Sequence, residues 1–275
     1  MITGGWSIVL FYVLPALLLL PVFIMRRHAL LQGGWSFQLA GILAGSALVL
    51  YAGALVFTDV VRALLFYYLT PLWSTLLARI VLGETITWQR WVTMAVALAG
   101  LLVILNVGSG ISVTLNAGDW MGQASGVVWA IAAVTIKSDA KGNGVDFALG
   151  YFFWGSIAAL ALPLLPLQGA QAMPDWSTIR GVLVWIVPVV AILAIPSAFG
   201  VMWGATVLSP GLLAILFMTE ISAGAITAAI WAGEPFGWRE VTGILLISAA
   251  GLFEPVMNLF FKTLDPDAGR PDIGV

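Results

Sequence analysis

The sequence predicts an all-α fold: a polytopic membrane helix bundle built from two inverted repeats. Three observations carry this. First, 61% of the 275 residues are hydrophobic and only 9% are charged, with a mean hydropathy of +1.05, whereas an ordinary soluble domain carries roughly 25% charge. A soluble chain of this length cannot hide that much apolar surface, so lipid must cover it. Second, the apolar residues gather in nine runs, most of them near the roughly 20 residues that a helix needs to cross a bilayer. Third, one stretch returns. Gly83-Glu84-x-x-x-Trp88 recurs as Gly233-Glu234-x-x-x-Trp238, 150 positions on (233 − 83), each time between two apolar runs. Ser46-Ala47 with Ala54 matches Ser197-Ala198 with Ala205 at an offset of 151 (197 − 46). Two echoes at nearly one offset mark an internal duplication of about half the chain.

The runs lie near 6–25, 35–57, 63–82, 88–107, 119–137, 145–166, 180–207, 210–232 and 238–261. The first is no signal peptide, because Arg26 and Arg27 follow it and no basic segment precedes it. The run 63–82 ends at the first Gly-Glu corner, where Gly83 suits a left-handed helix cap. Glu84 then suits the positive end of the following helix, and Trp88 and Trp238 suit the water boundary as interfacial anchors. The run 180–207 is overlong and holds Pro188 and Pro196, which predicts a kinked or broken helix. Residues 138–144 form a polar turn, and 167–179 a longer loop with an aromatic at the interface. The Asp-, Pro- and Gly-rich segment 263–275 reads as a disordered cytoplasmic tail.

Basic residues set the sidedness. With loops alternating, one side takes Arg26, Arg27, Arg79, Arg90, Lys137, Lys141, Lys262 and Arg270, and the other takes Arg62, Arg180 and Arg239. The richer side is cytoplasmic, which puts the C-terminus inside and, with nine spans, Met1 outside. The two Gly-Glu corners then face opposite sides, so the duplication is inverted. Inverted repeats are a recurrent plan of alternating-access transporters. Counting from the matched corners, the run at 119–137 has no partner upstream.

Other function classes recede. A net charge of −2 offers no field for nucleic acid. There is no cysteine, the single His28 sits in a loop, and no span holds His, Asp and Glu at ligand spacing, so neither a metal nor a cofactor is expected. No Ser, His and Asp are placed for nucleophilic work, which leaves an intramembrane enzyme a remote alternative. Intramembrane ionisable groups carry a functional presumption. Glu220 is the deep one, mid-run, expected to face the bundle interior. Glu254 falls near the cytoplasmic end of its run, and Asp59 with Arg62 reads as a surface pair. Tyr51, Phe66, Tyr67, Trp73, Trp129, Trp154 and Trp203 fall within runs, where tyrosine and tryptophan want a polar partner. With Glu220 they are the candidate substrate-binding residues.

The stretch from Arg62 to Leu105 closely resembles the EamA-type repeat of the drug/metabolite transporter superfamily. The resemblance rests on Leu69-Thr70-Pro71-Leu72-Trp73 and Leu82-Gly83-Glu84 in one half, and on Ser197-Ala198 and Gly233-Glu234 in the other. It implies ten helices in two inverted five-helix repeats with both termini cytoplasmic. The expected repeats are 1–110, which lacks the first helix of that plan, and 119–262. Ile221 stands where the first half has Pro71, which leaves the course of that helix open. The resemblance further implies a secondary transporter exporting small amphipathic metabolites from a bacterial-type inner membrane. The aromatic interior leans this towards amino acids, aromatic ones included. An exporter of drugs or other metabolites is the alternative, as is a sugar or nucleotide-sugar carrier. The last is weakened because a phosphate would want Arg or Lys at depth. Its partners are then a small-molecule substrate and the lipid bilayer; monomer and homodimer both stay open.

Overall fold

The structure, a computed structural model, describes residues 4–58, 60–104, 115–139, 142–164, 174–227, 229–230 and 236–264. The named elements are helices. They are α1 (Gly4–Leu18), α2 (Leu20–Gln32), α3 (Gly34–Phe57), α4 (Val60–Tyr67), α5 (Thr70–Leu82), α6 (Trp88–Ile104), α7 (Ala117–Ser138), α8 (Gly144–Ala161), α9 (Trp176–Val189), α10 (Ile195–Val207), α11 (Pro210–Phe217), α12 (Thr219–Thr227) and α13 (Trp238–Leu264). Taken as α1–α2, α3, α4–α5, α6, α7, α8, α9–α10, α11–α12 and α13, they follow the nine apolar runs. Four stretches are each long and apolar enough to cross a membrane: Gly34–Phe57, Arg62–Leu82, Gly144–Ala161 and Trp176–Val207.

Four rods depart from simple cylinders. The first run bends by 61° at Leu19, between α1 and α2. Pro21 has no N–H for the carbonyl of Leu17 and its ring crowds that oxygen, so the chain turns there. The overlong run does not break. It stays helical from Trp176 to Val207 through a π-helical turn, Val190–Ala194, set between Pro188 and Pro196. That wider turn takes up the hydrogen-bond register that the two prolines disturb. Finally, α4 gives way to α5 at Tyr68 and α11 gives way to α12 at Met218, 150 positions apart (218 − 68). At both interruptions a threonine hydroxyl donates to the carbonyl three residues back: Thr70 to Tyr67, and Thr219 to Leu216 at 2.6 Å. The interruption therefore occurs ahead of Ile221 in the second copy as ahead of Pro71 in the first, so a proline is not required for it.

The chain divides into two compact units, Met1–Glu84 with Ser112–Ala214, and Thr85–Ile111 with Ile215–Val275. In the first unit α3 is the central element, and its buried stripe Ala40, Gly41, Ala44, Gly45 and Ala47 lets neighbours close in. It runs parallel to α8. Phe37 lies 5.4 Å from Phe147 between ring centroids, and a Cβ on Gly45 would come within 2.4 Å of the Gly155 nitrogen. It runs antiparallel to α7, with Thr58 beside Gly118 and the Ser125 hydroxyl donating to the Ala47 carbonyl at 2.7 Å. The α4–α5 rod is parallel to α7, Ala63 lying by Gly122 and Thr70 by Gly126. The α1–α2 rod is antiparallel to α8, from Tyr12 at Gly155 to Arg26 at Asp146. Each direction is the one that strict alternation of spans demands.

In the second unit α6 and α13 pack antiparallel. Ile104 lies against Gly243, and Gly100 against Ile247. In the sequence these helices follow the two Gly-Glu motifs.

The first corner is capped as expected at Gly83, which has φ 68° and ψ 17°. The Glu84 N–H returns to the Ala78 carbonyl at 3.3 Å. The expectation for Glu84 itself fails. Helix α6 begins at Trp88, and the Thr87 hydroxyl accepts from the Arg90 N–H at 3.3 Å. Threonine caps this helix, and the carboxylate lies too far ahead of its first turn. In α13 the Glu240 carboxylate accepts from the Gly237 N–H at 2.7 Å. Gly233, Glu234, Asp59, Lys141 and Arg270 lie outside the described residues.

Candidate functional site

The first unit gathers all five tyrosines of the sequence. Tyr51 on α3 meets Tyr67 at the end of α4 at 4.2 Å between ring centroids, and Tyr67 meets Tyr68 at 5.0 Å. Tyr12 on α1 shares a side-chain hydrogen bond with Tyr151 on α8 and lies within electrostatic reach of Tyr51 and Tyr67. The glycines of α3, α7 and α8 bring these rings together, because a helix lacking Cβ atoms at its crossings admits bulky rings beside them. Tyr12, Tyr67, Tyr68 and Tyr151 are buried, while Tyr51 is partly open. The result is an aromatic patch beside the interruption between α4 and α5.

Of the candidate residues, Tyr51 and Tyr67 belong to this patch and three more flank it. The Phe66 Cβ lies 3.3 Å from where a Cβ on Gly122 would stand, so its ring leaves the helix at the α4–α7 contact. Trp73 stands one turn past Thr70 on α5, and buried Trp129 one turn past Gly126 on α7. Thr70 and Gly126 touch. Trp154 and Trp203 do not join them. Trp154 donates to the Gln38 side-chain oxygen at 2.9 Å, and Gln38 in turn donates to the Leu30 carbonyl at 2.7 Å. That chain fastens α8 to the start of α3. Trp203 is 63% exposed on α10. Glu220 belongs to the second unit, where it is exposed in the first turn of α12. The interruption at Met218 restarts the helix at Thr219 and leaves the carboxylate at its opening turn.

One buried cluster was not foreseen. Arg62 does not form a surface pair. It is 6% exposed and grips Asp119, itself 1% exposed, with Nε donating to Oδ1 at 2.8 Å and Nη2 to Oδ2. The Thr58 hydroxyl also donates to Oδ1 at 2.9 Å, and the Asn116 N–H donates to Oδ2 at 2.8 Å. Asn116 returns a bond to the Asp119 N–H, closing a capping box on α7. The signal was in the sequence: Asn116-x-x-Asp119 ahead of an apolar run, opening on the same side as Arg62. The cluster staples the ends of α3, α4 and α7 and consumes the charge of Arg62, so a buried cation exists here but is not available to a phosphate. Among the described residues no three His, Cys, Asp or Glu side chains stand together as metal ligands.

Comparison with known proteins now has a geometry to meet. Residues 4–106 match the EamA-like transporter family. The biotin transporter of Escherichia coli (strain K12) is 29% identical over 249 residues, covering 86% of this chain and 79% of its own length. A probable terminal-alkyne amino-acid exporter of Streptantibioticus cattleyicolor is 31% identical over 194 residues, or 66% of this chain and 61% of that one. A solved crystal structure shares the fold, with a TM-score of 0.73 over 96% of this chain and 90% of its own at 18% identity. Helical rods in alternating directions, a Gly-capped corner between two of them and these relatives agree on one assignment. The match over residues 4–106 and the transporter-named relatives bear out the resemblance to the drug/metabolite transporter superfamily, and they indicate a multi-pass membrane transporter rather than an enzyme.

Proposed function

We propose that this protein exports small amphipathic metabolites, amino acids including aromatic ones foremost, by alternating access across a bacterial-type inner membrane. The observation that carries the reading is the convergence of Tyr51 and Tyr67 with the other three tyrosines at one interrupted helix. Rings offer a flat apolar wall with phenol groups at its edge, which suits a substrate with one apolar and one polar end. The relatives' names support a metabolite as cargo, one being named for biotin and one for an amino acid. The working unit is a pair of repeats, 1–110 and 119–262, with the C-terminus cytoplasmic; the eight-to-three division of basic residues supports that orientation.

The test is uptake into proteoliposomes of a labelled panel, with and without a pH gradient. The panel holds phenylalanine, tryptophan, leucine, alanine and biotin. Saturable uptake of amino acids, strongest for the aromatic ones, is expected. Biotin alone entering would replace the amino-acid reading with the one suggested by the relative that aligns over 249 residues.

A further inference from the structure

Two buried polar atoms in the first unit hold hydrogen-bonding capacity that no described residue uses. Ser74 on α5 is 0% exposed and its hydroxyl has no partner among the described residues. The indole Nε1 of Trp73, the preceding residue, is buried in the same way. The hydroxyl one turn earlier, on Thr70, is already taken by the Tyr67 carbonyl. Burying a polar group without a partner carries a desolvation cost, and folded proteins leave few such groups. Two on adjacent residues, one turn past the tyrosine patch, call for a cause.

We propose that Trp73 and Ser74 form the polar half of the substrate site and donate hydrogen bonds to a carboxylate. This rests on the transport reading above and deepens it. The donor chemistry chooses the group. An indole N–H can only donate, and a serine hydroxyl donates readily, so their common partner is an acceptor and not an ammonium. Both are neutral, which suits the spread charge of a carboxylate better than the double charge of a phosphate, and the buried cation of the same rod, Arg62, is committed to Asp119. With the carboxylate one turn beyond Thr70, the apolar part of a bound amino acid falls back towards Tyr67 and Tyr51.

Trp73→Phe keeps the ring and deletes the donor, and Ser74→Ala deletes the hydroxyl. Each full-length variant is compared with the wild type in two ways. Thermal unfolding without substrate should be unchanged or higher, because each change removes a polar group that no described residue partners. Competition against labelled phenylalanine should then need about ten- to hundredfold more unlabelled phenylalanine, in line with the loss of one hydrogen bond to a charged group. Phenylalaninol, which lacks the carboxylate, should compete within twofold of its wild-type potency. A lower unfolding temperature in both variants, or equal losses for phenylalanine and phenylalaninol, overturns the subsite while leaving the transport reading in place. If the wild type moves biotin instead, biotin and biotinamide make the same comparison. A wild type that moves neither phenylalanine nor biotin overturns both readings.

Discussion

Asp119 shows how much can depend on one side chain that an apolar sequence surrounds. Its two oxygens accept from Arg62, Thr58 and the Asn116 backbone. Asp119→Asn keeps the shape but leaves a buried guanidinium without its counter-charge. Breaking a buried pair in this way costs about 3–5 kcal/mol, so thermal unfolding in detergent should fall markedly. Arg62→Lys should also destabilise, since an ammonium cannot reproduce the two-pronged contact. A surface pair with Asp59 would have predicted almost no effect from either change. The capping pattern Asn116-x-x-Asp119 was legible but its pairing with Arg62 was not: Arg62 and Asp119 are 57 positions apart, and only packing of α4 on α7 unites them. Tyr51, Phe66, Tyr67, Trp73 and Trp129 were legible as in-span aromatics, because their depth follows from the run boundaries alone. Their separation from Trp154 and Trp203 was not, because it depends on which face of a helix meets which neighbour.

At the scale of elements, the tight crossings of α3 are the feature that substitution tests best. A Cβ on Gly45 would meet the Gly155 nitrogen at 2.4 Å and the Tyr151 carbonyl at 2.9 Å, both of them backbone. Gly45→Val should therefore force α3 and α8 apart and destabilise the first unit by several kcal/mol, on the order of the larger single-residue effects. Gly200→Ala on α10 meets nothing within 4 Å. It should be neutral or stabilising by about 1 kcal/mol, the helix-propensity gain. Equal thermal shifts for the two would contradict the crossing geometry. Thr87→Ala should cost about 1 kcal/mol through the lost cap on α6. The Gly83 cap was readable because glycine before a polar turn has one preferred use. The π-helical turn was not, since Pro188 and Pro196 announce a disturbance without saying whether the helix breaks or widens.

For the whole molecule, alternation is the organising rule, and the helix registers within each unit obey it. The sequence has no cysteine, so single introduced ones report cleanly. Cysteines at Gln32, Thr85 and Ser138 should react with an impermeant maleimide from one side of the membrane, and those at Leu115 and Asp175 from the other. The eight-to-three division of basic residues makes the first side cytoplasmic. Labelling of Thr85 and Leu115 from the same side would contradict the path of α6. The two-fold duplication was legible in the Gly-Glu corners. That both copies also share an interrupted helix and a threonine at the break was not, because Pro71 and Ile221 disguise it.

The central claim is that the tyrosine patch is the wall against which substrate lies. The most direct measurement compares Tyr51→Ala with Trp154→Ala in proteoliposomes, using labelled phenylalanine and labelled alanine. A ring stacked on Tyr51 contributes about 1 kcal/mol beyond the area it covers. Tyr51→Ala should therefore weaken phenylalanine about five- to tenfold and alanine far less. Trp154, fastened to Gln38 away from the patch, should on replacement affect both substrates alike, through stability. If Tyr51→Ala instead reduces both substrates equally, or leaves phenylalanine untouched, the tyrosines are packing and the claim fails.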